Sequence, residues 1–290
     1  MSPVVVVQGR ITWDNWIELP CPMENGANFG GSGANIAVTL SALGATVEVV
    51  GRLGSDAIGR SYLRYLRRRG VGTEFVDTSD AHTSVCDISP GNYYSWRSGR
   101  ISLPNPSASV RARALASASA FILVDDAPVP GQTLPDRSFW VPQMWLRSEI
   151  DRFLTPMEVL QLWSWRIVFL NAKEAMWMED LSKRSLVSIS QSVPRTLFVR
   201  TDEIRPTVSL RAGRASFHPV LAVDPVVALG GGDALAAGCI AGDVHGLEPS
   251  GSIALGQMLA RQVVSQVGCQ VHASSVVSFR SGLSWDEVLR

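Results

Sequence analysis

The sequence predicts an α/β fold in which helices cover both sides of a mostly parallel sheet. Three observations carry that expectation. Short β-branched runs alternate with segments of helical period, several of those runs are apolar on both faces, and two glycine clusters stand directly before helices. Alternation favours right-handed βαβ units, and a strand that is apolar on both faces has to be covered on both.

In chain order, the valines at 4–7 read as the first strand. Residues 34–43 place Ile36, Leu40 and Leu43 on one stripe ahead of Gly44, which is a helix with its stop signal. A strand at 46–50 follows. Residues 56–69 align Ile58, Tyr62 and Leu66 and close at Gly70; Arg64, Arg67, Arg68 and Arg69 gather near the end, where cations offset the helix dipole. Further strands are expected at 121–124, 167–170, 196–199 and 207–210, and helices at 233–241 and 253–267. Residues 10–28 and 82–103 interrupt the alternation with extended polar and aromatic stretches, punctuated by Pro90-Gly91-Asn92 and Ser98-Gly99-Arg100. They are expected to form a small accessory sheet. Residues 126–148, rich in proline and tryptophan, receive no helix, although the next strand after 121–124 is expected near Phe139. With no repeat or linker, residues 1–290 read as one main domain with an excursion.

The 26 basic and 26 acidic residues balance, which argues against nucleic acid or a membrane surface and for a small-molecule partner. Cys21, Cys86, Cys239 and Cys269 are far apart, so neither a zinc site nor a disulfide framework is indicated. The short apolar run at the start is unlike a secretory signal, and no stretch reaches the roughly 20 apolar residues of a membrane span. A cytoplasmic protein with reduced thiols is expected.

Chemistry concentrates at the glycines. Residues 228–235, Ala-Leu-Gly-Gly-Gly-Asp-Ala-Leu, put three glycines and Asp233 at a helix start. Glycines admit an anion close to the backbone, the first helical turn supplies unpaired N–H groups, and Asp233 can take a proton from an attacking hydroxyl. The bland alternative is a tight strand-to-helix turn whose Asp caps the helix. The second cluster, Gly30-Gly31-Ser32-Gly33-Ala34-Asn35-Ile36-Ala37, fails the dinucleotide fingerprint because Ile36 stands where its third glycine belongs. Ser32 is out of register for a nucleophile elbow, and the Gly-x-x-x-x-Gly-Lys phosphate loop is absent.

Together with Leu43-Gly44-Ala45 and residues 50–59, Val-Gly-Arg-Leu-Gly-Ser-Asp-Ala-Ile-Gly, the Gly30–Ala37 cluster resembles the N-terminal signature of the ribokinase-like (PfkB) carbohydrate kinases. Gly230-Gly231-Gly232-Asp233-Ala234 resembles their C-terminal signature, and Asn171-Ala172-Lys173-Glu174 their Asn-x-x-Glu element. The resemblance implies a three-layer α/β/α sandwich with a mostly parallel central sheet and a small β lid formed by residues 10–28 and 82–103, often paired with a second subunit as a homodimer. It implies ATP- and Mg2+-dependent phosphorylation of a hydroxyl, usually primary, on a sugar or nucleoside. Asp233 would be the general base, and the backbone of Gly230, Gly231 and Gly232 the anion hole. Asn171 and Glu174 would organise magnesium, Glu174 through water. Asp14, Gly31, Gly33 and Asn35 would hold the acceptor. Asp14 as an exposed turn residue and Asn35 as a helix cap remain the alternatives.

The sequence also departs from the family. Val227-Ala228-Leu229 replaces two hydroxyl residues, and no acidic residue stands six before Asp233; Asp224 lies nine before it. The turn after 196–199 lacks its glycines and carries Arg200 and Arg205, which would contact phosphate by charge or lie exposed. These departures keep open a catalytically weak relative that only binds a nucleotide or sugar. Trp13, Trp16, Tyr93, Tyr94 and Trp96 fall in the lid stretches, either facing a nucleoside or decorated sugar or forming the lid's own core or a dimer contact.

Overall fold

The valine run forms β1 (Val5–Gln8), buried along its whole length. The computed structural model describes residues 4–17, 28–89, 93–97, 106–126, 131–147, 154–202, 205–220 and 223–271. These cluster into two compact units, Met1–Ser119 with Val223–Arg290, and Ala120–Ala222.

In the first unit, β2 (Thr12–Trp16) and β3 (Phe29–Gly30) lead into α1 (Ser32–Ala42), and β4 (Val47–Gly54) into α2 (Ala57–Arg68). Asp56 caps α2 by accepting from Gly59 N at 2.9 Å, which is why that helix starts where its apolar stripe does. Then come β5 (Val71–Gly72), β6 (Val76–Ser79), β7 (Val85–Ser89), β8 (Tyr93–Trp96) and α3 (Ala108–Ala116). β4 pairs in parallel with β1, β5 and β6. A separate four-stranded sheet runs β3-β2-β7-β8, and it is the accessory sheet expected from the extended stretches. Both punctuating turns, at 90–92 and 98–100, lie outside the described residues.

The second unit holds β9 (Ala120–Val124), β10 (Ser138–Val141), α4 (Met144–Arg147), α5 (Pro156–Leu162), β11 (Ile167–Asn171), α6 (Ala172–Ser182), α7 (Leu186–Ser192), β12 (Leu197–Thr201), β13 (Thr207–Arg211) and β14 (Arg214–His218). Strands β9 to β12 are parallel, and β13 and β14 close the edge as an antiparallel hairpin. Within residues 126–148, β10 is the strand expected near Phe139, and α4 is a helix that the sequence pattern there does not show. The tryptophans there build core: Trp140 is fully buried, stacks on Trp165 at 5.6 Å and donates its indole N–H to Asp126 O at 2.8 Å.

The chain returns to the first unit with α8 (Gly231–Val244) and α9 (Pro249–Val264), which pack on each other, α8 also against α1. Gly238 and Gly256 permit this approach, since a Cβ at Gly238 would lie 2.6 Å from Gly256 Cα. Among the described residues no helix is long and apolar enough to cross a membrane, and Cys86, Cys239 and Cys269 are free and buried.

Candidate active site

Strand β2 reads Thr-Trp-Asp-Asn-Trp, and its alternation puts Thr12, Asp14 and Trp16 on the buried face. A carboxylate in the middle of a buried face is the anomaly. Asp14 fits because its antiparallel neighbour β3 offers Gly30: a Cβ there would fall 1.8 Å from Asp14 Oδ2. Thr12 Oγ1 donates to Asp14 Oδ1 at 3.3 Å, and the Cys269 thiol donates to Oδ2 at 3.7 Å. Burial pushes the Asp14 carboxyl up to about 7; its two hydrogen bonds pull it down, and the neighbouring Asp233 raises it further. The Cys269 thiol is driven up by burial and by the Asp14 and Asp233 charges. Asp14 is 5% exposed, so it is no exposed turn residue.

Asn35 is not a cap either. It lies inside α1, is 4% exposed and donates Nδ2 to Asp233 Oδ2 at 2.9 Å. The glycines before it are demanded by the chain itself. Gly31 has φ +93° and its Cβ would meet Arg10 O at 2.7 Å, while a Cβ at Gly33 would meet Gly9 Cα at 2.7 Å. Tyr62, on the buried face of α2, fixes the same turn by donating its hydroxyl to Gly30 O.

Gly230 caps α8 in the left-handed conformation and has no side chain of its own to take the first-turn N–H groups of Gly231 and Gly232. Around Gly232 a Cβ would meet nothing within 4 Å. An uncapped helix start with open space before it, beside buried Asp233, can hold an anion and accept a proton. Gly230→Ala is expected to destabilise the fold by more than about 2 kcal/mol in urea denaturation. Its φ of +80° strains any Cβ, which would also sit 2.7 Å from Cys269 Cα and O.

Asp14, Gly31, Gly33, Asn35, Gly230, Gly231, Gly232 and Asp233 thus all belong to the first unit. Asn171, Glu174 and Arg200 belong to the second. There the Asn-x-x-Glu spacing closes a capping box on α6: Asn171 Oδ1 accepts from Glu174 N at 2.9 Å, and Glu174 Oε2 accepts from Asn171 N at 2.9 Å. Asn171 Nδ2 donates to Glu174 Oε1 at 2.6 Å. One nearly buried carboxylate with both oxygens already engaged suits the water shell of a magnesium ion better than its inner sphere. Among the described residues no group of three or more His, Cys, Asp or Glu could hold a metal ion. Arg200 is half-buried on β12 and its Nε is buried without a hydrogen-bond partner, whereas Arg205 is exposed. An orphaned guanidinium N–H of this kind fits a phosphate oxygen.

The departures have a physical role. Val227 packs with Trp16, Cys86, Ile88 and Cys269, and Leu229 and Val267 flank this cluster, so the residues before Gly230 form an apolar seat for the small sheet. Trp16 therefore serves that sheet's own packing, and Trp13 meets Phe29 edge-on at 5.2 Å. The side chains of Tyr93, Tyr94 and Trp96 lie outside the described set. Asp224 is exposed.

Sequence reading passed over three contributors here, Cys269, Gln270 and Tyr65. Gln270 Nε2 donates to Asn35 Oδ1 at 3.2 Å and to Phe29 O, and Tyr65 donates its hydroxyl to Gln270 Oε1. These pairs are 205 to 241 residues apart in sequence, and no local pattern marks them.

Residues 22–92 match the sequence family described as pfkB family carbohydrate kinase. A 5-dehydro-2-deoxygluconokinase of Geobacillus kaustophilus is 38% identical over 78 residues, 25% of this chain and 23% of that protein. The matched stretch thus spans about a quarter of that curated relative's length. Two solved structures match nearly end to end. Fructokinase with bound ATP from Xylella fastidiosa has a TM-score of 0.72 at 17% identity, covering 97% of this chain and 99% of its own. A nucleoside kinase of Methanocaldococcus jannaschii, described as an archaeal member of the ribokinase family, has a TM-score of 0.70 at 17% identity, covering 97% and 99%. At such identities the likeness establishes the fold.

Proposed function

We propose that this chain, a ribokinase-fold protein whose residues 22–92 match the pfkB carbohydrate kinases, is an ATP-dependent kinase for a hydroxyl, most simply a primary one, of a sugar or nucleoside. The observation that carries the reading is the juxtaposition in the first unit of Asp233, held by Asn35 at 2.9 Å, with the uncapped glycine start of α8.

Asp14 and Asn35 bind the acceptor. Asn35 Nδ2 carries a second hydrogen for an acceptor oxygen, and Asp14 accepts from a hydroxyl in place of the weak thiol donor. Asp233 takes the proton of the attacking hydroxyl as its oxygen bonds to the γ-phosphorus, and the bond from phosphorus to the β-phosphate oxygen breaks to release ADP. The N–H groups of Gly230, Gly231 and Gly232 face the charge that gathers on the transferring phosphoryl oxygens. In the second unit, Asn171 and Glu174 would hold the waters of a magnesium ion, which would supply neutralisation of phosphate charge, and Arg200 would contact phosphate. Residues 1–290 act as one catalytic domain, with the small sheet as its lid and as the surface for homodimer pairing, in the cytoplasm.

The test is incubation with ATP, Mg2+ and a panel of sugars and nucleosides, following ADP release and phosphorylated product by mass spectrometry. Turnover of at least one acceptor is expected. A second reading, a relative that binds a nucleotide or sugar without turnover, draws on the apolar Val227–Leu229 seat where hydroxyl residues are usual. Calorimetric binding of a panel member with no product from any would favour that reading and overturn the first.

A further inference from the structure

We propose that Gln270 is a positioning residue that sets the polarity of the Asn35 amide and thereby keeps an N–H donor, rather than an amide oxygen, on Asp233 Oδ2. The proposal rests on the kinase reading for its catalytic meaning, while the polarity itself follows from the structure.

A carboxamide can face its neighbours in either of two ways, and only its partners decide which. Here the decision starts at a group that cannot be reversed. Phe29 O is a backbone carbonyl and accepts only, so the Gln270 nitrogen must face it. That leaves Gln270 Oε1 to accept from the Tyr65 hydroxyl, and the second hydrogen on Nε2 to reach Asn35 Oδ1 at 3.2 Å. With its oxygen so occupied, Asn35 presents Nδ2 to Asp233 Oδ2 at 2.9 Å. Each amide passes the polarity of one carbonyl to the next group, and the chain ends at the carboxylate. An N–H aimed at a carboxylate favours its charged form, whereas an amide oxygen aimed there favours protonation.

The relay is rigidly mounted. Gln270 is 7% exposed. Its own carbonyl accepts from Gln266 Nε2 at 2.8 Å, and Arg69 Nη2 holds the next carbonyl, Val271 O, at 2.6 Å. Tyr65 is stacked on Phe29 at 4.1 Å with the planes 7° apart, so donor and reference carbonyl move together. Among the described residues, Asp14 on β2 and Cys269 after α9 are titratable groups that act on or feel the Asp233 charge, and Tyr62 on α2 lies next to Asp14.

Gln270→Glu removes both donors at that position. The Asn35 amide then turns its nitrogen toward the new carboxylate and its oxygen toward Asp233. Gln270→Met keeps the side-chain length and leaves Asn35 Oδ1 without a donor. The readouts are the carboxyl titration of Asp233 by 13C NMR in the protein alone, and the acid limb of the kcat profile with an accepted substrate. Both are expected to move about one pH unit upward in Gln270→Glu and less in Gln270→Met, with kcat falling about tenfold at pH values well down the acid limb and little on the plateau. If Gln270→Glu does not fold, Gln270→Met carries the test. A purely structural role would lower Tm and leave both midpoints in place, and that result overturns the proposal. A shifted NMR midpoint in a protein that phosphorylates nothing leaves the relay standing and removes the kinase reading instead.

Discussion

Asp233→Asn is expected to lower kcat for any accepted hydroxyl by about a hundred- to ten-thousand-fold, the range general-base catalysis supplies, with acceptor and ATP affinity changed far less. The carboxamide matches the carboxylate in size, and its oxygen can still accept from Asn35 Nδ2, which in the present structure donates over 2.9 Å. What it lacks is a site for the proton. Because Asp233 is the third residue of α8, the change also removes one negative charge from a helix start, worth roughly 0.3–1 kcal/mol of stability. Steady-state kinetics beside calorimetric binding separates the two effects. A variant that keeps wild-type turnover would show that another group accepts the proton.

Asp14→Asn is expected to raise stability and weaken acceptor binding at the same time. Desolvation, the largest influence, lifts the Asp14 carboxyl from 3.8 to about 7, and Asp233 adds to it. A raised acid binds its proton more tightly in the folded chain. Its contribution to stability is therefore full below pH 3.8, drains away as pH climbs, and is gone above about 7. A neutral isostere escapes that loss. In urea denaturation of the ligand-free protein, Asp14→Asn should exceed wild type at pH 8 by on the order of 2–4 kcal/mol and converge with it near pH 4. Acceptor KM should rise about ten- to a hundredfold, since a hydroxyl loses a charged partner. Equal stabilities at pH 8 would mean that Asp14 is not held in a desolvated site.

Much of this was legible in the chain. Helix α2 falls on the stripe of Ile58, Tyr62 and Leu66, because a helix that buries one face must repeat its apolar residues every three or four positions; α1 carries the stripe of Ile36, Leu40 and Leu43 but is buried all round from Gly33 to Leu40. The family resemblance, which rested on motif order, is borne out by the match at 22–92 and by the fold. Short elements escaped. α5 and α7 span 7 residues each, too few for a period, and are defined by the caps Thr155 and Ser185. Strand β14 is mostly exposed, so it shows no apolar alternation; its hairpin turns on Ala212 and Gly213, both at positive φ. At the site, Asp14 and Asn35 were visible as residues, but their burial was not, because it depends on Gly30 and Cys269 arriving from elsewhere.

The hydrogen bonds around Asp233 and Asp14 join residues separated by 198, 235 and 255 positions. During synthesis, a ribosome-bound chain already displays the glycine turn at Gly30 and the cap of α2, yet the side-chain amide of Asn35 meets Asp233 and Gln270 only after both have emerged. Contacts of such span are closed late, after local helices and the parallel pairing of β1 with β4. Until then Asp14 has no buried site and titrates as an ordinary carboxylate. A chain interrupted before residue 233 therefore carries the turn at Gly30, Asp14 and Asn35 without the carboxylate that Asn35 holds in the folded protein.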